Sequence, residues 1–292
     1  TTGADNVAIG RGALDANTTG ADNVALGRNA LGANTTASNN TAVGYAALRD
    51  TTTGASNTAI GQMSLEANTT GGTNVAVGVR ALTSNIDGNG NVALGEKALE
   101  NNTTGDENIA VGRYALRDNT AHTNVGVGYR AMFSNTSGPY NTAIGTLAMD
   151  GNTTGSENTA VGYYALEENV TGHSNVAIGN IALQENTTAS DNCAVGTKSQ
   201  RYTTTGANNV SVGSNSLKSN TTGSHNVCIG HTAGDNVTTG GSNTFVGVHA
   251  GGTYTTGTDN VCIGPNSGGS ETTSNNSLWI ARSASAPGNA AC

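Results

Sequence analysis

The chain alternates short aliphatic pulses with polar turns at a fixed interval. Each pulse reads Asn-x-small-[Ile/Val/Leu]-Gly, as in Asn6-Val7-Ala8-Ile9-Gly10. The opening Asn falls at Asn6, Asn23, Asn40, Asn57, Asn74, Asn91, Asn108, Asn124, Asn141, Asn158, Asn175, Asn192, Asn209, Asn226, Asn243 and Asn260. Every step is 17 residues except Asn108 to Asn124, which is 16. A period this short and this regular predicts stacked coils, each burying its apolar face only against its neighbours. Disorder is the alternative for a polar, Gly-rich chain, but a disordered chain has no reason to keep an aliphatic residue in register.

Taken as a strand, the pulse points Val7 and Ile9 to one face and Ala8 and Gly10 to the other. The same split recurs at Thr41-Ala42-Val43-Gly44, Ile109-Ala110-Val111-Gly112 and Thr159-Ala160-Val161-Gly162. Both faces are apolar, the pattern of a strand buried on both sides. One face can close the coil's own interior and the other needs a partner surface. A second segment, Ala13-Leu14, Ala30-Leu31, Ala47-Leu48, Ala98-Leu99 or Ala165-Leu166, reads as an outer strand or an extended turn. An Asn-Thr-Thr-Gly turn follows, whose Asn and Gly tolerate left-handed backbone angles. Seventeen residues hold two short strands and two turns. The expected fold is all-β, a parallel β-solenoid of sixteen flattened, two-sided coils.

In such a stack the anchor Asn side chains form a column, able to hydrogen-bond from coil to coil. A second column is expected from Asn17, Asn34, Asn68, Asn102, Asn152, Asn186 and Asn220. Both read as structural ladders. Sixteen coils at about 4.8 Å each would leave a Val/Ile strip roughly 75–80 Å long. A soluble monomer seldom exposes that much contiguous apolar surface. Self-association around the long axis is the economical answer, with a homotrimer expected; periodicity by itself does not separate three copies from two.

Composition agrees with a thin core. There are one Trp, two Phe and eight Tyr in 292 residues, so small aliphatics must do the packing. The net charge of −8 offers no basic patch for nucleic acid. No apolar run reaches the roughly 18–20 residues that span a bilayer, so no membrane insertion is expected of this segment. Thr1 opens in mid-register without a Met, which predicts a piece of something longer.

The strand-plus-Ala phrase, as in Asn91-Val92-Ala93-Leu94-Gly95 with Ala98, resembles the head repeats of trimeric autotransporter adhesins of the YadA type. The longer period and the Asn-Thr-Thr-Gly turn are more similar to repeats of bacteriophage tail fibres. The resemblance covers roughly residues 1–270. It implies a trimer of left-handed parallel β-rolls and host-surface attachment. The adhesin head repeat is shorter than 17 residues, which favours the phage-type fibre. The expected role is a structural shaft in a virion tail fibre; the alternative is a trimeric adhesin on a bacterial surface, binding host matrix or glycan through its outer face.

From about residue 226 the pattern shifts. Ala-Leu becomes Ala233-Gly234, Ala250-Gly251 and Ser267-Gly268, and the small slot takes Cys228, Phe245 and Cys262. Residues 1–269 read as the shaft, and 270–292, with Trp279 and Pro287, as a cap or the start of another domain. Ser277–Ala281 suits a closing strand. Cys228 and Cys262 lie two coils apart, too far to bridge within one chain, and read as small buried residues, with an inter-chain link as the alternative; Cys193 and Cys292 complete the four.

Chemistry is sparse. His122, His173, His225, His231 and His249 are scattered, and only the last two approach the same place in adjacent coils. Carboxylates such as Asp106, Glu107, Glu157, Glu167, Glu168 and Asp191 read as solvated turn charges. No catalytic, cofactor-binding or metal site is expected, and no enzyme. Adjacent Thr side chains point apart, so no ice-binding rank is expected. Sequons such as Asn17-Thr18-Thr19 and Asn152-Thr153-Thr154 read as by-products of the turn. Tyr45, Tyr114, Tyr129, Tyr163 and Tyr164, on variable outer positions, are candidate contacts to a cell-surface glycan; packing against neighbouring coils is the competing account.

Overall fold

A computed structural model describes residues 2–280. The chain is an all-β parallel β-solenoid of about sixteen turns, without helix among the described residues. The described residues form two compact units, one up to Thr146 and one from Leu147. The first holds nine three-residue strands: β1 (Val7–Ile9), β2 (Val24–Leu26), β3 (Thr41–Val43), β4 (Thr58–Ile60), β5 (Val75–Val77), β6 (Val92–Leu94), β7 (Ile109–Val111), β8 (Val125–Val127) and β9 (Thr142–Ile144). The second holds β10 (Thr159–Val161), β11 (Val176–Ile178), β12 (Cys193–Val195), β13 (Val210–Val212), β14 (Val227–Ile229), β15 (Thr244–Val246), β16 (Val261–Ile263) and β17 (Leu278–Ile280).

Within each unit every strand pairs in parallel with the equivalent strand of the next coil. Val7 faces Val24 and Ala8 faces Ala25; in the second unit Val176 faces Cys193. The sixteen-residue step keeps this register, with Ile109 opposite Val125. The missing residue is absorbed in the turn. Asn102 Nδ2 donates to Gly105 O three residues on, whereas Asn119 Nδ2 reaches Ala121 O two residues on. The register also runs past the last anchor Asn. Ser277 takes the anchor position, and Trp279 pairs opposite Cys262. Of the closing-strand expectation, Ala281 lies outside the described residues, as do Pro287 and Cys292.

The middle residue of the strand points inward. Ala25, Ala42, Ala59, Ala76, Ala93 and Ala110 have no exposed surface, while Val and Ile on either side look out. The second segment, expected as an outer strand or an extended turn, is a tight turn. It is closed by bonds such as Ala13 N to Gly10 O, 3.2 Å. Its Leu adopts the left-handed region, as in Leu65 at φ 50° and Leu82 at φ 53°. That conformation costs a non-glycine residue about 1–2 kcal/mol. Full burial of a Leu side chain contributes about 1.5–3 kcal/mol. Burial wins, because the left-handed angle turns Leu65 and Leu82 into the coil, where neither is exposed.

The Gly after each strand is required by close approach. Gly61 sits at φ 134°, and a Cβ there would stand 2.5 Å from Gly78 O of the next coil. The Gly column therefore sets how closely the main chains stack.

The pattern shift near residue 226 is an exchange of volume. The inward Ala becomes Cys228, Phe245 and Cys262, and the inward Leu becomes Gly234, Gly251 and Gly268. A Cβ on Gly251 would lie 2.5 Å from the Phe245 ring, so the ring occupies the space that Leu fills elsewhere. Val237 and Tyr254 replace the second-column Asn, and Tyr254 packs against Phe245 with ring centroids 5.2 Å apart. Phe245→Ala should cost about 3–5 kcal/mol and Gly251→Leu about 1–3 kcal/mol. Urea unfolding of the double variant should show less loss than the two single losses together. Strict additivity would overturn the exchange.

Candidate functional site

The anchor Asn links one coil to the next through both ends of its amide. In the first unit Asn74 Oδ1 accepts the Asn91 main-chain N–H at 2.9 Å, and Asn74 Nδ2 donates to Gly88 O at 2.8 Å. Asn209 does the same in the second unit, with Asn226 N at 2.9 Å and Gly223 O at 2.9 Å. The column is thus held mostly through the main chain, and amide-to-amide contacts such as Asn108 Nδ2 to Asn91 Oδ1, 3.1 Å, are secondary. From Asn23 to Asn260 these side chains are at most 1% exposed.

The second column is an amide-to-amide ladder: Asn34 Nδ2 donates to Asn17 Oδ1 at 2.9 Å and Asn85 Nδ2 to Asn68 Oδ1 at 2.8 Å. Buried oxygens without a partner occur at Asn34, Asn102, Asn186 and Asn220. Each lies where the ladder is interrupted. The next coil offers Thr51, Thr203 or Val237 instead of Asn, or, beyond Asn102, the shortened turn. The sequon residues named above belong to this column. Asn17 is 8% exposed and Asn152 is fully buried, so neither is open to a glycosyl transferase in the folded chain.

The outward strand positions form an aliphatic ridge in each unit. Val7, Ile9, Leu26, Ile60, Leu94, Ile109 and Ile144 are exposed in the first; Ile178, Val210, Val212, Ile229 and Ile263 are exposed in the second. The nine strands of the first unit, spaced about 4.8 Å, extend its ridge over roughly 38 Å.

The candidate tyrosines fall into three settings. Tyr45 lies beside the Arg28 guanidinium, 4.6 Å from the ring centre. Tyr163 and Tyr164 meet edge to face at 4.1 Å. Tyr114 and Tyr129 join a larger patch. Tyr114 meets Tyr129 at 6.3 Å and Phe133 at 6.2 Å, both edge to face. Arg113 lies 4.6 Å from the Tyr114 ring, and its terminal nitrogen donates to the Tyr114 hydroxyl at 3.0 Å. Arg117 and Arg130 stand 3.8 Å and 4.3 Å from the Phe133 ring. Tyr129 is 43% exposed. At Asp118 burial pushes the carboxyl up, but hydrogen bonds from Arg117 and Asn101 outweigh it and leave it below the usual range.

Three further features had no clear sequence signal. The residue two places before the anchor caps the preceding coil: Asn89 N donates to Asp106 Oδ1 at 2.7 Å, and Asp106 N to His122 Nδ1 at 3.0 Å. Beside it lies a cleft of about 430 Å³ lined by Thr73, Asn89, Gly90, Asp106, Glu107, His122 and Thr123. In the second unit Gln200 takes the inward Leu slot. It is buried and donates to Ser211 Oγ at 3.0 Å and Cys193 O at 3.1 Å. The variable identity of these positions from coil to coil hides such contacts from a periodicity argument.

His231 and His249 meet with ring centroids 5.7 Å apart, and Thr232 Oγ1 lies 2.6 Å from His249 Nδ1. Among the described residues no group of three or more His, Cys, Asp or Glu could hold a metal ion. No helix among them is long and apolar enough to cross a membrane. Cys228 and Cys262 are free and buried. Burial pushes the Cys228 thiol far up and the Cys262 thiol to about 11.

No protein-family model matches the chain, and no curated protein or solved structure matches it.

Asn74→Ala leaves the buried Asn91 N–H without a partner and removes one of the two amides that donate to Gly88 C=O, and should cost about 2–4 kcal/mol in urea unfolding. Asn180→Ala, at an exposed position, should stay within about 0.5 kcal/mol. Equal effects would contradict the ladder. The buried thiols add a pH dependence. Their folded pKa values lie above the unfolded value of about 8.5, so their share of stability is intact below that pH and is lost as pH rises towards 11. Cys228→Ala with Cys262→Ala should flatten the alkaline limb of an unfolding-midpoint profile.

Proposed function

We propose that the chain is a structural fibre shaft, three copies packed through their aliphatic ridges, which projects a host-attachment end in a phage tail fibre. The exposed ridge carries this reading. Most strands turn a small residue inward and aliphatic residues outward, the reverse of what a solitary coil needs. In-register stacking brings the outward residues of successive coils into one strip, and apolar area of this kind is covered in stable oligomers. Threefold symmetry closes such strips around an axis without leaving an open face.

The rest of the coil suits a mechanical task. Main-chain groups, both Asn columns and the Thr hydroxyls bond from coil to coil, as in Thr18 Oγ1 to Thr35 O at 2.9 Å. Such a stack resists bending and shear without chemistry of its own. The two-sided, left-handed form of the coil belongs to this proposal, as does placement on a virion or at a cell surface. Repetition around the axis would raise avidity for a repeated surface ligand.

Sedimentation equilibrium should give three times the 29.0 kDa chain mass. Ile60→Glu with Ile109→Glu should dissociate the assembly, because burying each unpaired carboxylate costs several kcal/mol. A monomeric wild-type chain would sink the proposal.

A further inference from the structure

We infer that the arginine–aromatic patch of the first unit is a binding site for a carboxylated sugar. The patch occupies three successive coils, on the turn that follows the strand rather than on the aliphatic ridge. It gathers three of the chain's ten Tyr and Phe residues. Around them stand four cations, Lys97, Arg113, Arg117 and Arg130, against three carboxylates, Glu96, Glu100 and Asp118. The chain as a whole carries −8, so this turn reverses the local sign. Among the described residues no other contact group brings three aromatic rings together with several guanidinium groups.

The rings divide the work. Phe133 is close to both Arg117 and Arg130, which leaves little of its face to a ligand. It reads as the support that holds two guanidinium planes. Tyr114 is likewise engaged by Arg113 and, at 5.7 Å, by Lys97. Tyr129 touches Tyr114 edge to face, and among the described residues no cation stands over it, so its exposed face is the stacking platform. Arg113 is held across Tyr114 by the tyrosine hydroxyl and by Glu96 Oε2 at 3.1 Å, yet its side chain is 53% exposed. With Nε on Glu96 and Nη2 on the Tyr114 hydroxyl, the guanidinium is fixed and its Nη1 edge is left to meet a carboxylate with little ordering cost. A pyranose lying on Tyr129 would place a ring carboxylate towards that edge. A neutral sugar would gain the stacking alone.

The local sequence departs from the repeat in the same coils. Gly126 takes the inward Ala slot, Met132 takes the Leu slot, and the turn at Asn119–Ala121 has lost a residue. A Cβ on Gly126 would lie 3.0 Å from Leu116 Cγ, so the interior beneath the patch is repacked rather than merely decorated.

The site does not depend on the shaft reading, since none of its side chains is on the ridge. The full chain should be titrated calorimetrically at low ionic strength with sialyllactose and oligogalacturonate, and with lactose and the methyl ester of oligogalacturonate as neutral counterparts. One or both acids should bind, the neutral compounds should not, and added salt should weaken binding. Binding of one acid alone supports the site and identifies the source of the carboxylate. Tyr129→Ala and Arg113→Gln should each weaken it by roughly tenfold or more, and Arg113→Lys by less, because it keeps charge but not the planar edge. Tyr163→Ala should change nothing. All variants replace exposed side chains, so unchanged thermal unfolding separates lost binding from lost fold. The inference is overturned if neither acid binds, if the neutral counterparts bind equally, or if Tyr129→Ala and Arg113→Gln bind like wild type. A monomeric mass would remove the shaft proposal and leave this one standing.

Discussion

The structure depends on one short link, the anchor Asn amide bridging two coils through main-chain groups. A parallel stack of three-residue strands has few ladder bonds per coil, so adjacent turns need another fastening. The Asn supplies it where the turn enters the strand. Its oxygen takes the N–H of the next anchor and its nitrogen gives to a turn carbonyl, as Asn74 does with Asn91 and Gly88. Both partners are buried, so the link is costly to lose and excludes other uses of the side chain. A residue shorter or longer than Asn could not reach both groups from the same backbone position. The same demand explains the tolerance of the sixteen-residue coil: the turn at Asn119 gives up a residue, and the anchor spacing between strands is unchanged.

Close stacking then dictates the rest of the coil. A Cβ at Gly61 would collide with the next main chain, so the position after the strand has no side chain. The inward strand slot admits only a small residue while a Leu occupies the opposite turn. Where the Leu is removed, at Gly234, Gly251 and Gly268, the strand slot enlarges to Cys, Phe and Cys. Interior volume is conserved while its source moves from one side of the coil to the other, which is how a close-packed interior tolerates change. Gln200 and Ser211 show the polar version. They replace Leu and Ala in adjacent coils; Gln200 Nε2 donates to Ser211 Oγ and to Cys193 O, Ser211 also meets Ser199, and Gln200 Oε1 is left unpaired.

With the interior so committed, any recognition must use what the stack leaves over. Two surfaces qualify. The ridge is uniform from coil to coil, which suits a partner that repeats with the same spacing, and a second copy of the chain repeats in that way. The Tyr114–Tyr129–Phe133 patch is local, sits on the variable turn and departs from the repeat. A uniform surface suits assembly and a singular one suits a ligand. The two are formed by different residues, so one can be covered while the other stays open.

Much of this was legible in the residues. The 17-residue interval, the parallel register and the two Asn columns follow from periodicity, because any coil of that length must place equivalent residues above one another. The burial of Cys228 and Cys262 followed from their slot. Other features were not legible. The Ala-Leu segment has the composition of a strand, and only the coil's closure forces Leu into a left-handed turn that buries it. The aromatic and basic residues of the patch are spread over three coils, and their meeting depends on the exact height and rotation of each turn. That the anchor Asn bonds mainly to main chain, that Phe245 fills the space above Gly251, and that the coil continues to Trp279 all depend on distances across the stack. Periodicity alone determines which residues lie in one column. Only the tertiary structure decides which face a column takes and what its side chains touch, because both are set by how the coil closes on itself.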